Sequence, residues 1–128
     1  KKGKLAERIA SSLKSKGQYG QARTYYRESL RLNPSNGRPY LAIAAMYASS
    51  ANSCGDDAFN KRAVFWLAAK EAAKASRVDG NLKSAAAQSI ANYEAKAPTR
   101  SEIFTKGNQG QTIRIGCWIG DSVVVPSL

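Results

Sequence analysis

The stretch Asn33-Pro34-Ser35-Asn36-Gly37 interrupts two helical patterns, and it constrains this chain more than any other feature. Before it, Tyr19, Ala22, Tyr26, Ser29 and Leu30 recur at spacings of three and four, and after it the same period resumes at Tyr40, Ile43, Ala44 and Tyr47. Such spacings put each set on one face of a helix. Pro34 disfavours helical geometry in the residue before it, whereas Pro39 fits a first helical turn, where its missing N–H is not needed. Two helices joined by a polar turn follow, each with an apolar face to bury.

The same reading extends in both directions. Upstream, Leu5, Ile9, Ala10 and Leu13 form a stripe at helical spacing from about Lys4 to Ser15, and Gly17 stands where a C-terminal glycine is expected. The second helix then runs from about Gln18 to Leu32. Downstream of Tyr47, SSANSCGDDAF delays the next pattern and reads as an inserted loop or extra helical turns. A long helix follows from Phe59 to Val78, with Asp56 or Asp57 placed to cap it. Within it Ala63-Val64-Phe65-Trp66-Leu67-Ala68-Ala69 is apolar on every side. A helix apolar all round must be covered on more than one face, which predicts a central position and a core role for Trp66. Leu82, Ala86, Ile90 and Tyr93 give one more helix before Pro98, and Thr99-x-x-Glu102 is a capping box for a short helix closed by Gly107.

The tail changes period. Thr112 to Ile119 and Ser122 to Val125 are dense in β-branched and aromatic residues, and Gly120-Asp121 between them reads as the turn of a β-hairpin. Two strands alone are marginal in water, so the hairpin must lie against the last helices. The chain thus divides into a helical part, residues 1–107, and a cap, residues 108–128.

Composition agrees with a mainly α protein. Much of the hydrophobic share, 43 %, is alanine, which suits closely packed helices. Formal charge is +11, and it is uneven: residues 1–40 hold ten Lys or Arg against Glu7 and Glu28. No run of about 18 apolar residues exists to span a membrane. With no histidine there is no Ser-His-Asp or Cys-His arrangement and no HExxH, and no GxxxxGK[ST] phosphate loop occurs. No catalytic residues, metal ligands or cofactor are assigned.

Gly17, Ala22-x3-Tyr26 and Pro34, followed by Tyr40-x2-Ile43-Ala44-x2-Tyr47, resemble the second half of one tetratricopeptide repeat (TPR) joined to the first half of the next. Ile9, Ala10 and Leu13 are weaker matches, and Ser29 stands where the family usually has alanine. The resemblance implies about two and a half repeats of antiparallel helix pairs in a right-handed α-solenoid, with the hairpin as a cap closing the stack. It also assigns Tyr26, Tyr40 and Tyr47 to packing between helices. The insertion around Cys54-Gly55, Phe59-x-Lys61-Arg62-Ala63-Val64-Phe65-Trp66, Ala97-Pro98-Thr99-x-x-Glu102 and Gly116-Cys117-Trp118-Ile119 further resemble the C-terminal part of TPR proteins of Bacteroidetes-type envelopes. That implies a non-catalytic protein-interaction scaffold in the bacterial periplasm or at the outer membrane, continuing upstream in a longer repeat protein.

Two sets of residues are candidates for function. Lys4, Lys14 and Arg38 occupy positions that face the concave groove in TPR proteins, and Arg23, Arg27 and Arg31 recur every fourth residue on the second helix. They would hold a protein or peptide partner, or alternatively a polyanion or nucleic acid. Against that stands a solvated face with no stacking platform among the basic residues. The Lys/Asn clamp of some TPR proteins has Glu7, Ser11 and Ala42 at the matching positions and is not expected. Cys54 and Cys117 are the only cysteines. They are a disulfide pinning hairpin to loop, or two buried thiols, and the envelope resemblance favours the bond.

Overall fold

Helix boundaries fall where the punctuation of the chain puts them. The computed structural model describes residues 2–128 and contains α1 (Lys2–Ser15), α2 (Tyr19–Leu32), α3 (Arg38–Ser49), α4 (Ala51–Cys54), α5 (Ala58–Val78), α6 (Lys83–Lys96) and α7 (Arg100–Lys106), then strands β1 (Thr112–Ile115) and β2 (Asp121–Val124). Gly17 takes φ +77°, a left-handed conformation that glycine adopts without strain, and the Gln18 N–H reaches back to the Leu13 carbonyl at 2.9 Å. Asp57 caps α5 by accepting from the Asn60 N–H at 2.8 Å. Thr99 and Glu102 form the reciprocal capping box of α7. The segment after Tyr47 becomes an extra helical turn, α4, following α3 with Ser50 between them.

Neighbouring long helices are antiparallel. Ser29 Oγ, near the end of α2, donates to the Gly3 carbonyl at the start of α1 at 2.9 Å. The Gly37 N–H, before α3, donates to Asp79 beyond the end of α5 at 3.1 Å. Glycine is required there, because a Cβ would lie 2.6 Å from the Ala75 carbonyl oxygen. Arg62, near the start of α5, donates to the carbonyls of Lys96 and Ala97 at the end of α6, at 3.1 and 3.0 Å, and so caps that helix with a cation.

The core runs along α5. Ala63, Val64, Leu67, Ala68, Ala72 and Ala75 are buried against α3 on one flank and α6 on another, and the hairpin packs on the same helix. Small side chains at these positions let the helices approach closely. Ile43, Met46 and Tyr47 of α3 supply the large buried side chains. Two expectations need correction. Trp66 is only half-buried, its edge against Phe59 with ring centroids 6.0 Å apart, so the apolar girdle of α5 includes a rim as well as a core. On α1 the buried residues are Gly3, Ala6 and Ala10, whereas Leu5 and Ile9 are exposed. The tight α1–α2 contact selects the smallest side chains, which rotates the buried stripe away from Leu5.

The hairpin pairs Thr112 with Val124 and Ile115 with Asp121, and Ile113 and Ile115 face the core. Its connection is the five residues Gly116–Gly120, not a turn at Gly120-Asp121. Cys117, Trp118 and Ile119 therefore leave the strand and dock. Cys117 is bonded to Cys54, with Cα atoms 5.3 Å apart, and adopts φ +50°. Trp118 sits between Tyr19 and Tyr47, with centroids at 5.6 and 5.4 Å, and its indole N–H donates to Ser50 Oγ at 2.9 Å. A long strand cannot place these groups; a loop can.

Two measurements check this arrangement. In chemical denaturation Ile43→Ala should cost about 2–5 kcal/mol, the range for deleting a fully enclosed aliphatic side chain, and Trp66→Ala should cost less than Ile43→Ala despite its size. Reducing the disulfide, which spans 63 residues, should lower stability by about 4 kcal/mol in the chain-entropy view. Amide exchange should then accelerate first in residues 116–120.

Candidate functional site

Three- and four-residue spacing brings Lys4, Glu7, Arg8 and Ser11 to one side of α1. Arg38, in the first turn of α3, lies opposite. Together they line an open cavity of about 310 Å³. A second opening of about 280 Å³ shares Lys4 and Arg38 and continues over the polar turn through Asn33, Ser35 and Asn36 to Asp79 and Asn81. Every residue that lines the two openings is thus polar or charged, with the aliphatic stems of Lys4, Arg8 and Arg38 among them.

Its geometry is set by one ion pair. Arg38 presents Nε at 3.0 Å to one oxygen of Glu7 and Nη2 at 3.1 Å to the other, and Asn36 Nδ2 donates to Glu7 Oε1 at 3.0 Å. The Arg38 hydrogen bond holds the Glu7 carboxyl below its ordinary value of 4.5, against the opposing effect of partial burial. Glu7 is consequently an ionised acceptor at neutral pH rather than a proton donor. Lys4 and Arg8 are exposed and stand outside every ion pair among the described residues.

The other basic residues singled out in the sequence are placed elsewhere. Arg23 turns toward the hairpin loop, donating to the carbonyls of Ile119 at 2.8 Å and Trp118 at 3.0 Å and to the Tyr47 hydroxyl at 3.1 Å. Its guanidinium also lies over the Trp118 ring, 5.1 Å from the centroid. Arg27 pairs with Glu71, a buried carboxylate of α5 that Lys74 also contacts at 3.2 Å. Arg31 pairs with Glu28 on the exposed face of α2 at 2.6 Å. Lys14 is half-buried in the last turn of α1, where a cation suits the helix dipole. The six residues do not form one surface: Lys4 and Arg38 share the groove, while Arg23, Arg27 and Arg31 bond to three different parts of the chain.

Arg8 lines the groove without having been singled out in the sequence. Its place one helical turn beyond Lys4 was the available signal. Among the described residues no group of three His, Cys, Asp or Glu gathers in a way that could hold a metal ion, and no helix is long and apolar enough to cross a membrane. Comparison with known protein families, with curated proteins and with solved structures gives no match.

The carboxylates make a pH dependence with a definite sign. Glu7 is pulled down by Arg38, Asp57 by the Asn60 backbone N–H, and Glu102 by the Thr99 backbone N–H. A group whose folded pKa is depressed contributes stability that is present above its unfolded pKa and lost as pH falls through the folded value. The melting temperature should therefore hold steady from neutral pH down to about 5 and fall below about 4.5. Arg38→Met should remove the Glu7 share of that fall, which thermal scans across the acid range would measure.

Proposed function

We propose that this chain is a non-catalytic protein-interaction scaffold whose working surface is the groove between α1 and α3. The observation that carries the reading is the alignment of α1 and α3, the first helices of two successive antiparallel pairs, across one open polar cavity joined by the Glu7–Arg38 pair. Helix pairs in this order fit the TPR-like right-handed α-solenoid implied by the sequence resemblance, but the hairpin, expected to cap the last helices, packs on α5 and seats its loop on α2, α3 and α4. An extended segment of a partner would lie along the groove, its main chain meeting Asn33, Asn36 and Asn81. A binding role suits the groove's side chains, which offer cations, amides and a carboxylate to a partner's polar groups.

The disulfide supports an extracytoplasmic setting, because such bonds persist where thiols are not kept reduced. The periplasm or outer-membrane surface is the location that the envelope resemblance adds. The polyanion reading has less support. Arg23, Arg27 and Arg31, three of the six basic residues on which it drew, are engaged by the hairpin carbonyls, Glu71 and Glu28.

Affinity capture from envelope extract, done in parallel with wild type and Lys4→Glu, tests the proposal. Wild type should retain a defined protein through moderate salt, and the variant should lose most of it. Retention of the same protein by both would remove the groove from the interaction. Recovery of nucleic acid in place of a protein by wild type would instead indicate a polyanion, whose association is driven by counterion release.

A further inference from the structure

We propose that the groove takes an acidic segment of its partner, and that Glu7 is the resident stand-in for the partner's carboxylate. This rests on the groove being the protein-binding surface and adds the chemistry of the partner and the residue that sets its affinity.

Charge is the first argument. The larger cavity is lined by three cations, Lys4, Arg8 and Arg38, against the single carboxylate of Glu7. Most other arginines near a carboxylate in this chain are matched to it, as Arg27, Arg31 and Arg62 are. In this cavity Lys4 and Arg8 stand outside every ion pair among the described residues. Asp79, in the adjoining opening, keeps its negative charge while its two oxygens accept from the backbone N–H groups of Gly37 and Asn81 at 3.1 and 3.2 Å, so the two openings together hold three cations against two carboxylates. That charge places the acidic end of the partner toward α1 and leaves the Asn33–Asn36 end for neutral residues.

Geometry is the second argument. Arg38 meets Glu7 with two parallel N–H···O bonds, the arrangement a guanidinium offers to any carboxylate. The Arg38 side chain is 58 % exposed, so an incoming carboxylate can reach it. A pair with this much exposure on the arginine side is weak and exchanges readily. Glu7 therefore competes for Arg38 and also repels a second negative charge from the space between Lys4 and Arg8. Protein is favoured over nucleic acid as the source of that charge, since no aromatic ring lines either opening for a base to stack on.

Fluorescence polarisation with the full chain tests this. The probes are a labelled peptide of alternating Glu and Gly with an amidated end, its Gln counterpart, the Gln peptide with a free terminal carboxylate, and a single-stranded oligonucleotide. The Glu peptide should bind at least about tenfold more tightly than the amidated Gln peptide, Glu7→Gln should tighten it by about three- to tenfold, and Arg8→Glu should weaken it by about tenfold. Binding of the free-ended Gln peptide with the same response to Glu7→Gln supports the proposal with a terminal carboxylate as the source. Circular dichroism of each variant confirms folding, and Arg8→Glu, on an exposed residue outside every ion pair, keeps the test open should Glu7→Gln disturb the helices. Unchanged or weaker binding by Glu7→Gln overturns the proposal. So does tighter binding of the oligonucleotide with the same response to the variants. If Lys4→Glu still abolishes capture of the envelope protein in those cases, the groove reading stands and only its acidic partner is lost; if capture is unchanged, both fall.

Discussion

Covering α5 is the constraint on which the other elements depend. Its buried positions, from Ala63 through Ala75, do not lie on one stripe, so no single neighbour can take them out of water. α3 covers one flank, α6 another, and the strands lie across what remains. This explains why a hairpin too small to stand alone is present at all. Ile113, Ile115, Ile119 and Val125 bury their side chains in the same cluster as Val64 and Leu67. Each side chain of that size is worth about 1.5–3 kcal/mol when fully removed from water, enough together to hold two four-residue strands that would otherwise be marginal.

Apolar packing fixes which helices touch but is nearly indifferent to sliding along alanine-rich faces. Polar ties supply the register. On one side α1 is joined to α3 by Glu7 and Arg38, and on the other α2 is joined to α5 by Arg27 and Glu71. The two pairs tie different helices of the first pair to different helices of the second. Farther along, Arg62 joins α5 to the end of α6 and to Glu102 of α7. Several of the basic residues are thus structural ties, which a count of lysines and arginines does not reveal.

The helices were legible because their limits are written in local chemistry. Gly17, Pro34, Pro39, Asp57 and the Thr99–Glu102 box each act within one turn, and each lies at a helix end in the structure. What was not legible depends on contacts between distant residues. Gly120-Asp121 has the composition of a tight turn, yet the disulfide to Cys54 and the seat for Trp118 demand a wider loop. The row Arg23, Arg27, Arg31 has the period of a solvated face. Only the position of Glu71 and of the hairpin, 44 and about 95 residues away, turns two of its members into ties. Of the groove, Lys4 and Arg38 were visible as candidates, whereas the role of Glu7 required knowing that Arg38, at the start of α3, reaches it across the fold.

The two sides of the first helix pair are finished differently, and the difference bears on function. Toward the hairpin, Trp118 is wedged between Tyr19 and Tyr47, Arg23 stitches the loop carbonyls to α2, and the disulfide anchors that loop to α4. Toward α1 and α3 the surface is left polar, open and held by a single exchangeable ion pair. A covalent and aromatic closure on one side restrains the angle between the helix pairs, so the spacing of Lys4, Arg8 and Arg38 is set before any partner arrives. A partner seated in the groove, as proposed, would then spend less of its binding free energy on ordering it.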